Sequence, residues 1–164
     1  MSAQMSALYR EFTPLALWAR VLAWGATAGV GLSILLAPPA GSSPSVRLPT
    51  ALGLLMLGAA IEVFLGGLTT EVHRDYLRLH LGRFALLRKQ VPLSKVKHLE
   101  SVTYRPLREF GGWGIRGFGR RQAWTARGNK AVVVTLEDGS QLYVGSDNPQ
   151  HLESRLRAIL QTSG

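Results

Sequence analysis

Arginine, aromatic residues and glycine alternate between Arg105 and Arg127, and this stretch has the residue types needed to bind an anionic surface. It contains six arginines and a single acidic residue, Glu109. A guanidinium group binds phosphate oxygens in pairs, and an exposed ring inserts at the headgroup level of a bilayer. We therefore predict contact with anionic membrane lipids or with a partner, and the candidate binding residues are Arg105, Arg108, Trp113, Arg116, Phe118, Arg120, Arg121 and Trp124.

The same stretch has two other interpretations. Its aromatic residues can close a hydrophobic core while its arginines are solvated, or its surface can bind a membrane protein or a second copy of the chain. Gly112, Gly114 and Gly117 also match the GxGxxG pattern of dinucleotide sites. That pattern requires a strand before it and a helix after it, and no helical periodicity follows here. No nucleotide or other cofactor is expected.

Residues suited to catalysis or metal binding are scattered along the chain. Cysteine is absent, and His73, His80, His98 and His151 lack the spacing of metal ligands. No close carboxylate pair suggests acid and base catalysis, so neither an enzyme nor a metal site is predicted. The net charge of +9 would suit nucleic acid, but no reader motif accompanies it. An anionic membrane surface explains the charge more simply.

Arg20 and Glu62 each interrupt an otherwise apolar run. If the two runs pair as antiparallel helices, both charges lie about two turns from the same membrane surface. They can form an ion pair, be solvated separately, or serve an ion or proton pathway. The last possibility defines an alternative function, in which the chain is a small accessory subunit of a membrane transport or signalling complex.

The two runs, 15–37 and 50–68, are long enough to span a bilayer as a helical hairpin. Residues 38–49 between them include four prolines and one basic residue, Arg47, whereas basic residues are frequent after the second run. The positive-inside rule therefore places both termini in the cytoplasm. The expected location of the hairpin is the cytoplasmic (inner) membrane. Gly25 and Gly29 form a GxxxG pair that suits either the hairpin or an oligomer.

Strand-like alternation of apolar and polar residues dominates the remaining chain, which is therefore predicted to be a small, mostly β domain (69–164). The chain is thus divided into a tail (1–14), the hairpin (15–68) and this domain. Asp138-Gly139 predicts a two-residue turn in the clearest β-hairpin. Asn148 and Pro149 begin a C-terminal capping helix with one apolar stripe. The predicted strands are 77–81, 84–91, 96–104, 130–137 and 141–144, with 122–127 expected to pair with 130–137 across a turn at Gly128-Asn129.

The chain resembles bacterial PH-like (pleckstrin-homology-like) membrane proteins, in which a transmembrane hairpin precedes a PH-like domain. The resemblance lies in TTEVHRDYLRLHL (69–81), VPLSKV (91–96) and residues 132–160. It implies a cytoplasmic PH-like domain that acts as a membrane-anchored scaffold or interaction module, contacting lipid headgroups, a protein partner or its own copies. The resemblance carries over no catalytic residue, and the segment 105–124 departs from the family pattern.

Overall fold

The computed structural model describes residues 7–37, 40–41, 43–85 and 87–163. It contains two long helices, two β-sheets and a C-terminal helix. The helices are α1 (Leu17–Leu36), α2 (Pro44–Leu65), α3 (Pro106–Phe110) and α4 (Pro149–Ser163). The strands are β1 (Tyr9–Pro14), β2 (Gly67–Val72), β3 (Tyr76–Leu81), β4 (Leu87–Pro92), β5 (Val96–Thr103), β6 (Gly114–Arg116), β7 (Arg121–Thr125), β8 (Lys130–Leu136) and β9 (Gln141–Gly145).

Helices α1 and α2 form an antiparallel hairpin, and both are long and apolar enough to cross a membrane. Their closest approach is at Gly58, where a Cβ atom would lie 2.6 Å from Thr27 Oγ1. A Cβ on Gly25 or Gly29 would meet no described atom within 4 Å, so the GxxxG pair does not form the hairpin contact. Helix α2 begins earlier than predicted, with Pro44 in its first turn.

The connection between the two helices is only partly described. Pro38, Pro39 and Ser42, which belong to the proline-rich turn predicted for 38–49, lie outside the described residues.

Sheet A has the antiparallel order β1-β2-β3-β4 and continues directly from the hairpin. Gly66 caps the end of α2 and Gly67 is the first residue of β2. Residues 9–14, predicted as part of a tail, form β1 and pair with β2 from Tyr9↔Val72 to Pro14↔Gly67. The sequence YREFTP has no run of β-branched residues, so its pairing partner, which is distant in sequence, makes it a strand.

Sheet B has the order β5-β8-β9-β7-β6. The predicted β8–β9 hairpin is present, but its loop has three residues, 137–139, with Gly139 at φ 79°. The predicted pairing of 122–127 with 130–137 is wrong, because β8 pairs with β5 instead and β7 runs parallel to β9. Strand β8 is buried on both faces, so its local sequence carries no pattern that selects β5 rather than β7 as its second neighbour.

One hydrophobic core joins the two sheets and α4. Buried side chains from sheet A, such as Leu79, contact those of sheet B, such as Val132, and of α4, such as Leu152. The predicted Asn148 cap is present, since Asn148 Oδ1 accepts a hydrogen bond from His151 N at 3.3 Å. A smaller cluster built around Tyr104 and Tyr143 lies on the other face of sheet B, and Phe110 of α3 packs against it.

Candidate functional site

The arginine- and glycine-rich stretch lies partly against the hairpin, at the end formed by residues 15–20 and 61–66. Trp113 contacts Trp18 of α1 with ring centroids 5.8 Å apart, and its Nε1 donates a hydrogen bond to Gly128 O at 2.7 Å. These contacts border a groove of about 530 Å³ between the hairpin and the β-sheets, which we call the junction groove. Its lining includes Leu15, Trp18, Leu65, Leu107, Trp113 and Ile115.

Helix α3 presents apolar and basic side chains to solvent beside the junction groove. Leu107 is 68% exposed, and the neighbouring Arg105 and Arg108 are also exposed. Arg116 lines the groove, and its Nε donates a hydrogen bond to Trp113 O at 3.0 Å. Basic and apolar groups thus occur together at the end of the hairpin, which is the combination that binds a lipid surface.

Phe118 and Arg120 lie elsewhere, in the turn between β6 and β7. Phe118 is 97% exposed and Arg120 is exposed, but neither residue lines the junction groove. Gly117 shapes this turn: its φ is +76°, and a Cβ there would lie 2.3 Å from Arg121 O. The turn therefore requires glycine at this position.

Arg121 is held on the outer face of sheet B. Its Nη2 lies 2.7 Å from Glu109 Oε2 and 2.8 Å from the hydroxyl of Tyr143. Its guanidinium also covers the rings of Phe110 and Tyr143, with Cζ 5.1 and 5.0 Å from the centroids. The hydrogen bond to Tyr143 is the largest cause of a raised pKa for Arg121. These contacts attach α3 to sheet B, so Arg121 has a structural role.

Trp124 belongs to the hydrophobic core and is only 6% exposed. Its inclusion among the surface-binding residues is therefore corrected, because Trp124 in β7 faces sheet A and α4. The core-closing interpretation holds for Trp124, while Leu107, Arg105 and Arg108 remain on the surface.

Arg20 and Glu62 meet across the hairpin, with Arg20 Nη2 2.9 Å from Glu62 Oε1. Arg20 lies three residues after the start of α1 and Glu62 three before the end of α2. Both are thus within one turn of the helix ends, whereas the sequence predicted about two turns from the ends of the apolar runs. Arg20 Nε is buried without a hydrogen-bond partner in the described part of the chain.

A second cavity, of about 650 Å³, lies between the hairpin and the outer face of sheet A. We call it the arginine cavity, because Arg10, Arg20 and Arg83 line it together with Glu62 and His80. Sequence reasoning did not name Arg10 or Arg83 as site residues, and it considered His80 as a possible metal ligand. His80 is only 7% exposed, and its Nδ1 donates a hydrogen bond to Gly82 O at 3.2 Å. The sequence signal that could have indicated this cavity was Arg83, a basic residue that follows the predicted strand 77–81 and Gly82.

Neither a protein-family model nor a curated protein matches this chain. Among residues 7–37, 40–41, 43–85 and 87–163, no three histidine or acidic side chains are grouped so as to hold a metal ion. What distinguishes the protein is its architecture, which joins two apolar helices to two β-sheets and a C-terminal helix.

Proposed function

We propose that this protein is a membrane-anchored interaction module whose β domain binds anionic lipid headgroups beside its own hairpin. The two helices span the cytoplasmic membrane of a bacterium, and both termini and a PH-like domain lie on the cytoplasmic side. The contact between Trp113 and Trp18 carries the proposal, because it holds the segment 105–116 against the end of a helix long and apolar enough to cross a membrane.

The distribution of basic residues supports this orientation. Between the two apolar runs the chain contains only Arg47, near the start of α2, whereas Arg74, Arg78, Arg83, Arg88 and Lys89 follow α2. Cytoplasmic loops carry such an excess of arginine and lysine. The two sheets with a C-terminal helix packed on their common core support a PH-like domain.

A weak intrinsic affinity suffices for a tethered surface. Each basic residue near an anionic leaflet contributes about 1 kcal/mol. The hairpin keeps Arg105 and Arg108 permanently near the headgroups, so that their binding becomes an intramolecular step. Leu107 between them adds an exposed apolar side chain that can enter the headgroup region.

The alternative of an accessory transport or signalling subunit stays a prediction. The direct contact between Arg20 and Glu62 supports a structural role, because each charge neutralises the other within one turn of the helix ends. Binding of a protein partner or of a second copy of the chain is likewise a prediction.

A single introduced cysteine tests the lipid contact, since the natural chain contains none. The full-length protein carrying Leu107→Cys is labelled with a fluorophore and placed in nanodiscs whose lipids carry a quencher near the headgroup. We expect stronger quenching at this position than at Ala158→Cys, an exposed site on α4. Phe118→Cys reports whether the β6–β7 turn also reaches the lipid.

Charge removal then tests the role of the arginines. Arg105→Ser combined with Arg108→Ser, introduced into the labelled Leu107→Cys protein, reduces quenching in anionic nanodiscs. Lys97→Ser with Arg155→Ser removes the same charge from exposed positions of β5 and α4 and has no such effect. Equal quenching at Leu107→Cys and Ala158→Cys, or equal effects of the two charge pairs, would refute the proposal.

A further inference from the structure

The arginine cavity has a basic charge that the protein itself does not neutralise. Arg10, Arg20 and Arg83 line it against one carboxylate, Glu62, which is already paired with Arg20. Within the described chain Arg83 makes no ion pair. A volume of about 650 Å³ falls in the range of small-molecule sites.

Arg10 is neutralised only in part. Its Nε lies 3.6 Å from Glu71 Oε1, but the same carboxylate is also 3.7 Å from Arg78 Nη1 and 3.6 Å from His73 Nε2. One negative charge is thus shared between two arginines. Arg20 adds a further unused donor, its buried Nε.

The backbone fixes Arg83 at the rim of this cavity. Its N–H donates to Val63 O at 2.9 Å, and Gly82 N donates to Gly67 O at 2.9 Å. Phe84 packs on Phe64 of α2, with ring centroids 5.7 Å apart. The guanidinium of Arg83 therefore extends from a turn that is attached to the end of the hairpin, and little ordering is needed before it binds a ligand.

We propose that the arginine cavity binds the phosphate of an anionic phospholipid headgroup, with Arg83 and Arg20 as the principal donors and Arg10 as a further cation. Guanidinium groups match phosphate geometry, and the cavity lies at the helix ends, where headgroups surround a membrane-spanning hairpin. The assignment depends on the proposed membrane placement. It concerns a different surface from α3, on the outer face of sheet A.

Glu62 competes with the ligand for Arg20. The carboxylate occupies Arg20 Nη2 in the empty cavity, and a phosphate that enters must share this guanidinium with it. Removal of the negative charge at Glu62 therefore favours the anion, whereas removal of a positive charge at Arg83 disfavours it.

Binding at the arginine cavity is measured as the amount of lipid that the purified full-length protein retains in detergent. Native mass spectrometry is the readout. Phosphatidylglycerol and phosphatidylcholine are added separately. We expect the protein to retain more phosphatidylglycerol than phosphatidylcholine. In Arg83→Gln we expect retention of phosphatidylglycerol to fall about five-fold, which corresponds to the contribution of about 1 kcal/mol from one basic residue near an anionic surface. Arg74→Gln, exposed in the turn between β2 and β3, is the matched control and leaves retention unchanged.

Glu62→Gln separates binding from folding, because it is expected to increase phosphatidylglycerol retention, which a misfolded protein cannot do. Equal retention by Arg83→Gln and Arg74→Gln, or of the two lipids by the natural chain, would overturn the site. Inorganic phosphate is titrated into the lipid-free protein by calorimetry. Arg83-dependent binding of phosphate alone would overturn the headgroup assignment in favour of the free anion, and its absence beside lipid retention supports the headgroup.

The lipid contact of α3 and the binding of phosphate in the arginine cavity can be tested independently of each other. Arg83→Gln is therefore also made in the Arg105→Ser/Arg108→Ser protein, in which the contact of α3 with lipid is weakened. We expect Arg83→Gln to lower phosphatidylglycerol retention by the same factor in this background as in the natural chain, and no effect of Arg83→Gln there would mean that the lipid is not bound in the cavity.

Discussion

The role of each arginine in this chain depends on contacts with residues that lie far away in sequence. Arg121 contacts Glu109 and Tyr143, whereas its neighbour Arg120 is exposed in a turn. The composition of the stretch predicted that both arginines belong to a binding surface. It did not distinguish Arg121 from Arg120, because the register of β7 against β9 decides which side chain faces Tyr143.

Gly82 lies where the backbone of the β domain comes close to the end of the hairpin. Its φ is +68°, and a Cβ there would lie 2.2 Å from Phe64 O. Gly82→Ala therefore combines the left-handed backbone penalty of about 1–2 kcal/mol with a backbone clash. We expect the melting temperature of the full-length protein in detergent, followed by circular dichroism, to fall by at least about 10 °C.

Gly139→Ala is the matched control for Gly82→Ala. Gly139 has a similar φ of +79°, but a Cβ there would meet no described atom within 4 Å. The backbone penalty alone predicts a fall of about 2–4 °C for each kcal/mol. Equal melting temperatures of the two variants would show that the close approach to Phe64 does not affect stability.

At the scale of elements, α4 is attached to β5 by polar contacts as well as by its apolar stripe. Glu153 Oε2 accepts hydrogen bonds from Ser101 N at 2.9 Å and from Ser101 Oγ. Arg157 Nη2 donates to Leu99 O at 2.6 Å and lies 2.7 Å from Glu153 Oε1. The hydrogen bonds from Ser101, followed by those from Arg157, hold the pKa of Glu153 below its usual value.

The lowered pKa of Glu153 predicts a stability that depends on pH. A carboxyl group whose pKa is lower in the folded state contributes fully above its unfolded pKa, which is about 4.3. Its contribution is lost as the pH falls through the lower, folded pKa. Glu153→Gln therefore lowers the melting temperature at pH 7 and reduces the further loss between about pH 5 and pH 3.

Glu100→Gln serves as the control for this pH dependence. Glu100 is exposed on β5, so its replacement removes the same charge without removing a hydrogen bond to α4. If the melting temperatures of the natural chain and of Glu153→Gln changed equally with pH across this range, the assigned role of Glu153 would be contradicted.

Elements with strong local signals were predictable, and those made by distant partners were not. Asn148, Pro149 and the apolar stripe of α4 lie within one segment, and so do β8, β9 and their turn. Strand β1 depends on β2, more than 50 residues away, and β7 depends on β9. The arginine cavity was missed for the same reason, because Arg10 and Arg83 come together only after β1 pairs with β2.

At the scale of the whole molecule, the hairpin continues into sheet A without a linker. Helix α2 leads through Gly66 into β2, and β1 leads through two residues into α1. Leu15 N donates to Gly66 O at 2.9 Å, which joins the two connections. The orientation of sheet A relative to the hairpin is therefore set by backbone hydrogen bonds, and both proposed lipid contacts depend on it.

In the proposed membrane placement, this continuity puts the connection between the helices and the C-terminal helix on opposite sides of the membrane. Ala40→Cys places a unique thiol in the connection and Gln161→Cys places one on α4, and both positions are exposed. A membrane-impermeant maleimide is expected to label Ala40→Cys in intact cells, and Gln161→Cys only after the membrane is opened. The natural chain, which has no cysteine, provides the blank. The reverse labelling pattern would invert the topology, and labelling of both sites in intact cells would exclude a spanning hairpin with a cytoplasmic β domain.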